Sequence, residues 1–179
     1  GASGTVELNA RLQQLLNPQA PEKAEKEFGE NIFRDGDRVM QTKNNYSVEW
    51  EKDSVSGVGI FNGDIGQLIS VDHASGTFRI NFDGRICDYD FAFADELDHA
   101  YAVTVHKSQG SEYPFVIIPL YRCAPMLLTR NLIYTAITRA SRMVILVGDP
   151  SVLSTMIENT GHTKRLTRLK ENITEALGE

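Results

Sequence analysis

The first apolar pattern along the chain has the spacing of an α-helix. Four leucines recur at i, i+4, i+7 and i+8, namely Leu8, Leu12, Leu15 and Leu16. Pro18 marks the end of this predicted helix. Residues 19–37 are charged and poor in apolar side chains, so we expect a solvated connection there. Since a helix of about a dozen residues is marginal in isolation, we expect the leucines to pack on an α/β sheet.

Between Asp37 and Phe93 the apolar positions alternate with polar ones, which is the period of a β-strand. The dipeptide Asp83–Gly84 is a typical two-residue hairpin turn. The alternation is clearest on either side of it, at Phe78, Ile80 and Phe82 before the turn and at Cys87, Tyr89, Phe91 and Phe93 after it. Several short strands joined by tight turns within about 60 residues favour a small β-barrel.

From Asp95 onward, helical and strand patterns alternate. Residues 96–110, ELDHAYAVTVHKSQG, have apolar positions at helical spacing with Gly110 as a C-terminal cap. A strand that ends near Thr104 is the alternative. After Ser151 the pattern predicts a helix, a turn at Gly161 and a basic segment that could form a further helix.

Two short apolar runs, FVIIPL at residues 115–120 and MVILVGD at residues 143–149, are typical of strands covered on both faces. The segment between them predicts a helix with Thr129 as its N-cap. Its apolar stripe comprises Leu132, Ile133, Ala136, Ile137 and Ala140. Strand, helix and strand in this order indicate a βαβ unit of a parallel sheet.

Composition is that of a soluble globular protein, with 179 residues, 41% of them hydrophobic and 23% charged. The sequence has no apolar run near the roughly 20 residues that span a bilayer, and no signal-peptide pattern. We therefore expect a cytoplasmic protein without membrane contact. Cys87 and Cys123 lie far apart, so neither a disulfide framework nor a metal site is expected. The net charge of −6 argues against a protein that coats nucleic acid, but not against a narrow phosphate-binding track.

A dense group of polar donors, Thr104–Glu112, lies directly before the first buried-strand pattern. A surface helix end with a glycine cap would explain any one of these residues, but not their density. Ligands of open parallel sheets lie beside the carboxyl ends of the strands, and backbone N–H groups in a glycine-containing turn suit phosphates. The segment is therefore a candidate for phosphate contact.

Arg139 is a second candidate, because helical geometry places it at the flank of the apolar stripe. Its ordinary interpretation is an arginine that covers its own helix. The functional interpretation is a phosphate stabiliser, which suits the fixed charge and fork geometry of the guanidinium. Arg142 is the competing residue, but it points further from the stripe.

These segments resemble motifs of superfamily 1 helicases. AYAVTVHKSQGSE resembles motif V, and NLIYTAITRAS followed by MVILVGD resembles motif VI, most closely in the RecD-like branch of the exodeoxyribonuclease V alpha subunit. GTVELNARLQQLLNP resembles the start of its second motor domain, and GDRVMQTKNNY and FNGDIG resemble its 2B insertion. The resemblance implies an α/β fold, a RecA-like parallel-sheet motor domain with an inserted small SH3-like β-barrel. It implies residues 1–29 as the first part of domain 2A and a connection, 30–94 as the barrel, and 95–179 as the rest of domain 2A.

The resemblance also implies roles for residues. Arg139 matches the catalytic arginine that reaches the γ-phosphate of ATP on the first motor domain. The matching ATP-binding residues are Gly110, Ser111, Glu112 and Arg139. The expected DNA-binding residues are Thr104, His106 and Lys107 of motif V and Asn45, Tyr46 and Asn62 of the barrel. In the barrel we expect Tyr46 or Trp50 to stack on a base, with two ordinary hairpin turns as the alternative.

The P-loop pattern G-x-x-x-x-G-K-[ST] does not occur in the sequence. ATP with Mg²⁺ is therefore expected to be held mainly by a first motor domain that this chain lacks. The resemblance implies the C-terminal part of an ATP-dependent 5′–3′ DNA helicase of DNA repair and recombination, inactive by itself. Expected partners are single-stranded DNA, ATP, the first RecA-like domain and other exodeoxyribonuclease V subunits. The alternatives are the helicase part of a conjugative relaxase and a non-catalytic single-strand-binding module.

Overall fold

The computed structural model describes residues 4–160 of the chain. The chain separates into two compact units, Gly1–Ser111 and Glu112–Glu179. The first unit is built mainly of antiparallel strands, and the second contains a parallel strand pair with helices. The turn predicted at Gly161 and the basic segment after it lie outside the described residues.

The first unit starts with helix α1 (Thr5–Leu16) and a hairpin of β1 (Glu25–Phe28) and β2 (Asn31–Arg34). One antiparallel sheet follows, made of β3 (Arg38–Gln41), β4 (Asn45–Lys52), β5 (Val55–Ile60), β6 (Ile65–Asp72), β7 (Thr77–Phe82), β8 (Arg85–Asp90) and β9 (Leu97–His99). Their order across the sheet is β5–β4–β8–β7–β6–β3–β9. A 3₁₀ turn at Phe91–Glu96 connects β8 with β9.

The strand alternation predicted for the first unit is confirmed. Phe78, Ile80 and Phe82 of β7 are buried, and Arg79 between them is exposed. Successive side chains of a strand point to opposite faces, so one face of the sheet covers the core. The other buried members of this core are Phe33, Val39, Val48, Ile60, Leu68, Val71, Cys87, Tyr89, Ala94 and Leu97.

The predicted hairpin turn is confirmed as well. Asp83 and Gly84 both have positive φ, 52° and 85°, as a type I′ turn requires. The strand predicted to continue to Phe93 ends earlier, however. The side chain of Asp90 accepts a hydrogen bond of 2.7 Å from Ala92 N and starts the 3₁₀ turn.

The sheet does not close into the predicted barrel by strand pairing. Within residues 4–160, the edge strands β5 and β9 share no hydrogen-bonded ladder. Alternation and turn signals report on each strand separately. Closure depends on which edge strands meet, and local patterns do not carry that information.

Helix α1 is confirmed, but its leucines are not its buried face. Leu15 and Leu16 are 76% and 69% exposed, whereas Asn9 and Gln13 are buried. The buried stripe has the expected helical spacing but consists of amide side chains, which find hydrogen-bond partners within the first unit. Leu8 and Leu12 are half-buried, so the expected packing is wrong for Leu15 and Leu16 and only partial for the other two.

Residues 19–37 are not the solvated connection that their charge predicts. They contain the β1–β2 hairpin, and Phe33, Arg34 and Asp37 are buried. The Arg34 guanidinium lies 2.5 Å from the Glu25 carboxylate and donates to the Asn17 carbonyl oxygen at 2.6 Å. The buried charge of Arg34 is thus paired, which composition alone does not reveal.

The helix predicted over residues 96–110 is wrong. Leu97–His99 forms β9, in which His99 pairs with Val39 of β3. The alternative prediction of a strand is correct, but the strand ends at His99, before the predicted limit at Thr104. The backbone of this segment completes the edge of the antiparallel sheet, so tertiary pairing outweighs its helical spacing.

The second unit contains the predicted βαβ arrangement. Its elements are β10 (Tyr113–Leu120), a 3₁₀ turn (Pro125–Leu127), α2 (Arg130–Ile137), β11 (Ala140–Gly148) and α3 (Pro150–Glu158). Strands β10 and β11 are parallel neighbours, and α3 is the helix predicted after Ser151. The predicted cover on both faces of these strands is wrong within the described residues, since Phe115, Ile117 and Met143 are more than half exposed. The small apolar core of this unit is formed by Leu120, Ile133, Val152 and Met156.

Two local features fix the connections of the second unit. Thr129 is the N-cap of α2, as predicted, and its hydroxyl accepts a hydrogen bond of 3.3 Å from Leu132 N. Gly148 ends β11 with φ of 134°, and a Cβ atom there would collide with the backbone of Leu120. This position therefore requires glycine.

Candidate nucleic-acid and nucleotide interface

The segment after β9 is attached to α1 by one amide side chain. Asn9 Nδ2 donates to the carbonyl oxygens of His99 (3.1 Å) and Ala102 (3.0 Å), and Asn9 Oδ1 accepts from Ala102 N (2.7 Å). These hydrogen bonds from the Asn9 side chain take the place of a neighbouring strand on the outer edge of β9. The backbone at the start of the predicted motif V segment is therefore held in place by α1.

Asp37 is a second anchor of this segment and is fully buried. Its carboxylate accepts hydrogen bonds from Tyr101 OH (2.8 Å), Gln13 Nε2 (2.7 Å) and Asn17 Nδ2 (2.7 Å). Burial opposes its ionisation, but hydrogen bonds from His99, Asn17 and Tyr101 outweigh burial and hold the pKa of Asp37 below its ordinary value. The charged carboxylate thus joins α1 to the start of the motif V segment.

Residues 104–111 form a compact series of turns. Ser108 is buried, and its N donates to Thr104 O (3.1 Å) while its hydroxyl donates to Val105 O (2.8 Å). Thr104 Oγ1 accepts a hydrogen bond of 3.2 Å from Lys107 N. Because the buried serine holds the turn from inside, the side chains of Thr104, His106 and Lys107 are exposed on its outside.

Lys107 is paired with a carboxylate of β9. Its Nζ lies 2.6 Å from Asp98 Oδ2, and both side chains are partly exposed. An exposed pair of this kind contributes about 0–1 kcal/mol. A phosphate could therefore replace the carboxylate at little cost, as a phosphate-binding role for Lys107 requires.

The predicted barrel residues Tyr46 and Asn62 lie on neighbouring segments, Tyr46 as the second residue of β4 and Asn62 in the turn between β5 and β6. Asn44 joins the two segments, because its Oδ1 accepts from Asn62 N (3.0 Å) and its Nδ2 donates to Tyr46 OH (3.3 Å). The Tyr46 ring is 69% exposed and meets Phe61 edge to face at 5.7 Å. Phe61 is 42% exposed and was not identified from the sequence. Its position directly before the predicted turn was the only signal.

The Asn62 loop also lies beside the motif V turn. A Cβ atom on Gly63 would lie 3.8 Å from the Lys107 carbonyl oxygen. The Lys107 backbone thus lies beside the turn that follows Phe61. The combination of ring faces, amides and a cation suits an unpaired nucleic-acid strand, which offers bases and phosphates together.

Asn45 and Trp50 occupy different positions from those expected. Asn45 is buried, and its amide is bonded to the Glu96 carboxylate (2.9 Å) and to Ser47. Trp50 packs against the core and covers Gly57 of β5. Direct DNA contact by Asn45 and base stacking on Trp50 are not supported by this geometry, which leaves Tyr46 as the exposed ring of the two.

The predicted nucleotide-binding residues flank the start of β10. Gly110 is exposed, with φ of 87°, and a Cβ atom there would meet no neighbour within 4 Å. Ser111 is half-buried, and its N donates to Ser108 O at 3.1 Å. Glu112 is exposed at the first position of the second unit.

Arg139 lies in the connection between α2 and β11, not on the helix as predicted. Helix α2 ends at Ile137, and Thr138 is its C-cap. The Arg139 carbonyl oxygen accepts a hydrogen bond of 2.8 Å from Tyr113 N, and its Nε lies 3.3 Å from the Thr135 carbonyl oxygen. The half-buried guanidinium therefore rests on the C-terminal end of α2, where the helix dipole favours a cation.

Within the described part of the chain, the structure forms no cluster of three or more His, Cys, Asp or Glu side chains suited to a metal ion. None of the helices between residues 4 and 160 has the length and apolar character needed to cross a membrane.

Two protein families match parts of the chain. The ATP-dependent RecD-like DNA helicase SH3 domain matches residues 8–82, and the UvrD-like helicase C-terminal domain matches residues 99–147.

The ATP-dependent RecD2 DNA helicase of Deinococcus radiodurans is 36% identical over 151 residues, which are 84% of this chain and 19% of that protein. The RecBCD enzyme subunit RecD of Mycolicibacterium smegmatis is 30% identical over 181 residues, 93% of this chain and 27% of that protein. The chain thus spans roughly a fifth to a quarter of the length of these relatives.

A solved structure of Bacteroides Pif1 bound to ssDNA superposes with a TM-score of 0.53 at 16% identity, over 99% of this chain and 45% of that one. At this identity the likeness concerns the fold, which is a helicase fold with parallel and antiparallel sheets.

Proposed function

Because this chain belongs to the RecD-like family of DNA helicases, we propose that it forms the C-terminal part of an ATP-dependent 5′–3′ DNA helicase. In this proposal it contacts single-stranded DNA with its first unit and ATP with residues around β10 and Arg139. The full protein would couple ATP hydrolysis to movement along the strand, in DNA repair and recombination.

The observation that carries the proposal is the exposed edge of the first unit. Tyr46 and Phe61 offer an aromatic face, and the Asn62 loop leads from that face to Lys107. Base stacking on such a face is tolerant of sequence, as a translocating enzyme needs, and contributes about 1–3 kcal/mol per base. Thr104 and His106 are exposed on the motif V turn and would add polar contacts.

For ATP we propose that Arg139 acts in trans on nucleotide held by a first RecA-like domain. Gly110, Ser111 and Glu112 would lie beside the nucleotide, and Mg²⁺ would be held mainly by that other domain. An arginine that stabilises charge on a transferring phosphoryl group typically contributes about 10³–10⁵ in rate. This role is supported by the hydrogen bond from Tyr113 N to the Arg139 carbonyl oxygen, which holds the Arg139 backbone at the start of β10.

We further propose that residues 30–94 are an SH3-like barrel inserted into a RecA-like domain formed by residues 1–29 and 95–179. The seven-stranded antiparallel sheet and the parallel β10–β11 pair support the two folds separately. Under this proposal the full protein would work in the cytoplasm, with other exodeoxyribonuclease V subunits as partners.

The test uses the full-length protein with ATP, single-stranded oligonucleotides and duplexes that carry a 5′ or a 3′ tail. We expect ATP turnover that depends on single-stranded DNA, and unwinding from the 5′ tail only. The chain of 179 residues without a P-loop should show no turnover and serves as the control. DNA binding without any ATP turnover by the full-length protein would instead favour a non-catalytic single-strand-binding module.

A further inference from the structure

We propose that Glu96 is a positioning residue for single-stranded DNA, because it holds the β3–β4 loop and the start of β4, where Tyr46 is exposed. The inference rests on the proposed function and deepens it. Glu96 ends the 3₁₀ turn and directly precedes β9. It makes no contact with DNA in this proposal and acts through the residues that it holds.

The Glu96 carboxylate is the common acceptor of three buried donors. Its Oε2 accepts hydrogen bonds from Asn45 Nδ2 (2.9 Å), Gln41 Nε2 (3.0 Å) and Tyr89 OH (3.0 Å). Gln41 and Tyr89 are fully buried, and Asn45 is nearly so. Hydrogen bonds to an ionised acceptor are stronger than neutral ones, so this carboxylate holds the end of β3 and the start of β4 firmly.

The backbone of Glu96 holds the other end of the same loop. Its carbonyl oxygen accepts hydrogen bonds from Thr42 N (2.7 Å) and Thr42 Oγ1 (2.9 Å). Thr42 and Asn45 enclose the loop tip, Lys43 and Asn44. A single residue therefore holds both ends of the tip, from the side opposite to the exposed ring of Tyr46.

This arrangement determines where the aromatic face lies. Asn45 Oδ1 accepts from Ser47 N (3.0 Å), so the backbone is held on both sides of Tyr46. From there Tyr46 reaches Asn44 and the edge of Phe61. A ring that is already placed loses little conformational entropy when a base stacks on it. Without Glu96 the ring would remain exposed but would no longer be preorganised.

A purely structural role for Glu96 predicts a different outcome. Loss of a structural residue lowers the fraction of folded enzyme, and thus lowers kcat per total protein, without changing the affinity of the folded molecules for DNA. Loss of a positioning residue raises the DNA concentration that gives half-maximal ATP turnover, here called K_DNA, and leaves kcat at saturating DNA near that of wild type.

The experiment measures K_DNA and kcat of the full-length helicase with oligo(dT) and saturating ATP. We expect Glu96→Ala to raise K_DNA at least about tenfold, which is the scale of losing one stacked base. Glu96→Gln keeps the size and one acceptor oxygen, and should raise K_DNA by about threefold. This milder variant keeps the proposal testable if Glu96→Ala does not fold. Asp88→Asn, the same charge change at an exposed pair with Arg79, is the control and should leave K_DNA unchanged.

A double-mutant cycle decides whether Glu96 acts through Tyr46. In a Tyr46→Ala background, Glu96→Gln should change K_DNA by less than about twofold, because the ring that it positions is absent. Full additivity of the two changes, or an unchanged K_DNA in Glu96→Gln, would overturn the proposal. A wild-type protein without DNA-dependent turnover would instead overturn the proposed function, and this proposal with it.

Discussion

Replacing Asp37 by asparagine should destabilise the first unit by about 1.5–3 kcal/mol. The fully buried carboxylate accepts hydrogen bonds from Tyr101, Gln13, Asn17 and the backbone of Arg34. Asparagine has the same shape, but one acceptor oxygen becomes an NH₂ group that faces donors. Hydrogen bonds to a charged group contribute about 1.5–3 kcal/mol each, and the structure relaxes in part, so we expect the loss of about one such bond.

The assay is urea denaturation of the chain, monitored by tryptophan fluorescence. The sequence contains one tryptophan, Trp50, and it packs against the core of the first unit. Its signal therefore reports on this unit and not on the second. Asp88→Asn removes the same charge from an exposed surface pair and should shift stability by no more than about 0.5 kcal/mol.

The same variant predicts a pH dependence. The pKa of Asp37 is held below its ordinary value in the folded state. Its ionised form therefore contributes stability above the unfolded pKa, and this stability is lost as pH falls through the lower folded pKa. Wild type should lose unfolding free energy below about pH 4, and Asp37→Asn should lose less. Equal stability of the two proteins at pH 7, or parallel pH profiles, would refute the role assigned to this carboxylate.

The remaining predictions concern three other parts of the chain. Gly148→Ala should unfold the second unit, measured as lost near-ultraviolet circular dichroism, because its Cβ would collide with backbone; a native spectrum would contradict this. In the full-length enzyme, Arg139→Lys should keep its Tm within about 2 °C but lower kcat at least about a hundredfold, whereas Arg142→Lys should do little; the reverse order of damage would exclude Arg139 as the phosphate contact. Tyr46→Ala and Phe61→Ala should each weaken oligo(dT) binding, measured by fluorescence anisotropy, by about 1–3 kcal/mol, and unchanged affinity in both would exclude this face.

Local patterns predicted several elements and turns correctly, although not the exposure of β10 and β11. The one-sided alternation of β7, the Asp83–Gly84 turn and the βαβ arrangement of the second unit are of this kind, because their signals lie within a few residues of each other. The Thr129 cap is another local signal that was correctly interpreted. In each case the physical cause acts over a short stretch of chain.

Features that depend on distant partners were not predictable in this way. The buried stripe of α1 is polar because its amides meet Asp37 and the backbone of residues 99–102, which are far away in sequence. The helical spacing of residues 96–110 was misleading because β3 supplies a strand partner for that backbone. Buried polar networks are stabilised by complementary partners rather than by a pattern within one segment.

The candidate site was likewise predictable from the sequence only in part. Tyr46 and Lys107 were identified through motif resemblance, and both are exposed in the structure. Asn45 lies in the same motif, yet its side chain is turned inward to Glu96. Phe61 was missed, since a single aromatic residue before a turn has no distinctive pattern. A motif thus identified the loop, and only the fold distinguishes the side chains on its surface from those that support it.

Photo-crosslinking tests the central claim most directly, namely that these loops are the contact surface for single-stranded DNA. The full-length protein would be irradiated with an oligonucleotide that carries 5-iododeoxyuridine, and the crosslinked peptides would be mapped by mass spectrometry. We predict crosslinks at Tyr46 or Phe61 and in the peptide that contains His106, all lost in excess unlabelled oligo(dT). Specific crosslinks elsewhere in this chain, with none in these two segments, would contradict the account.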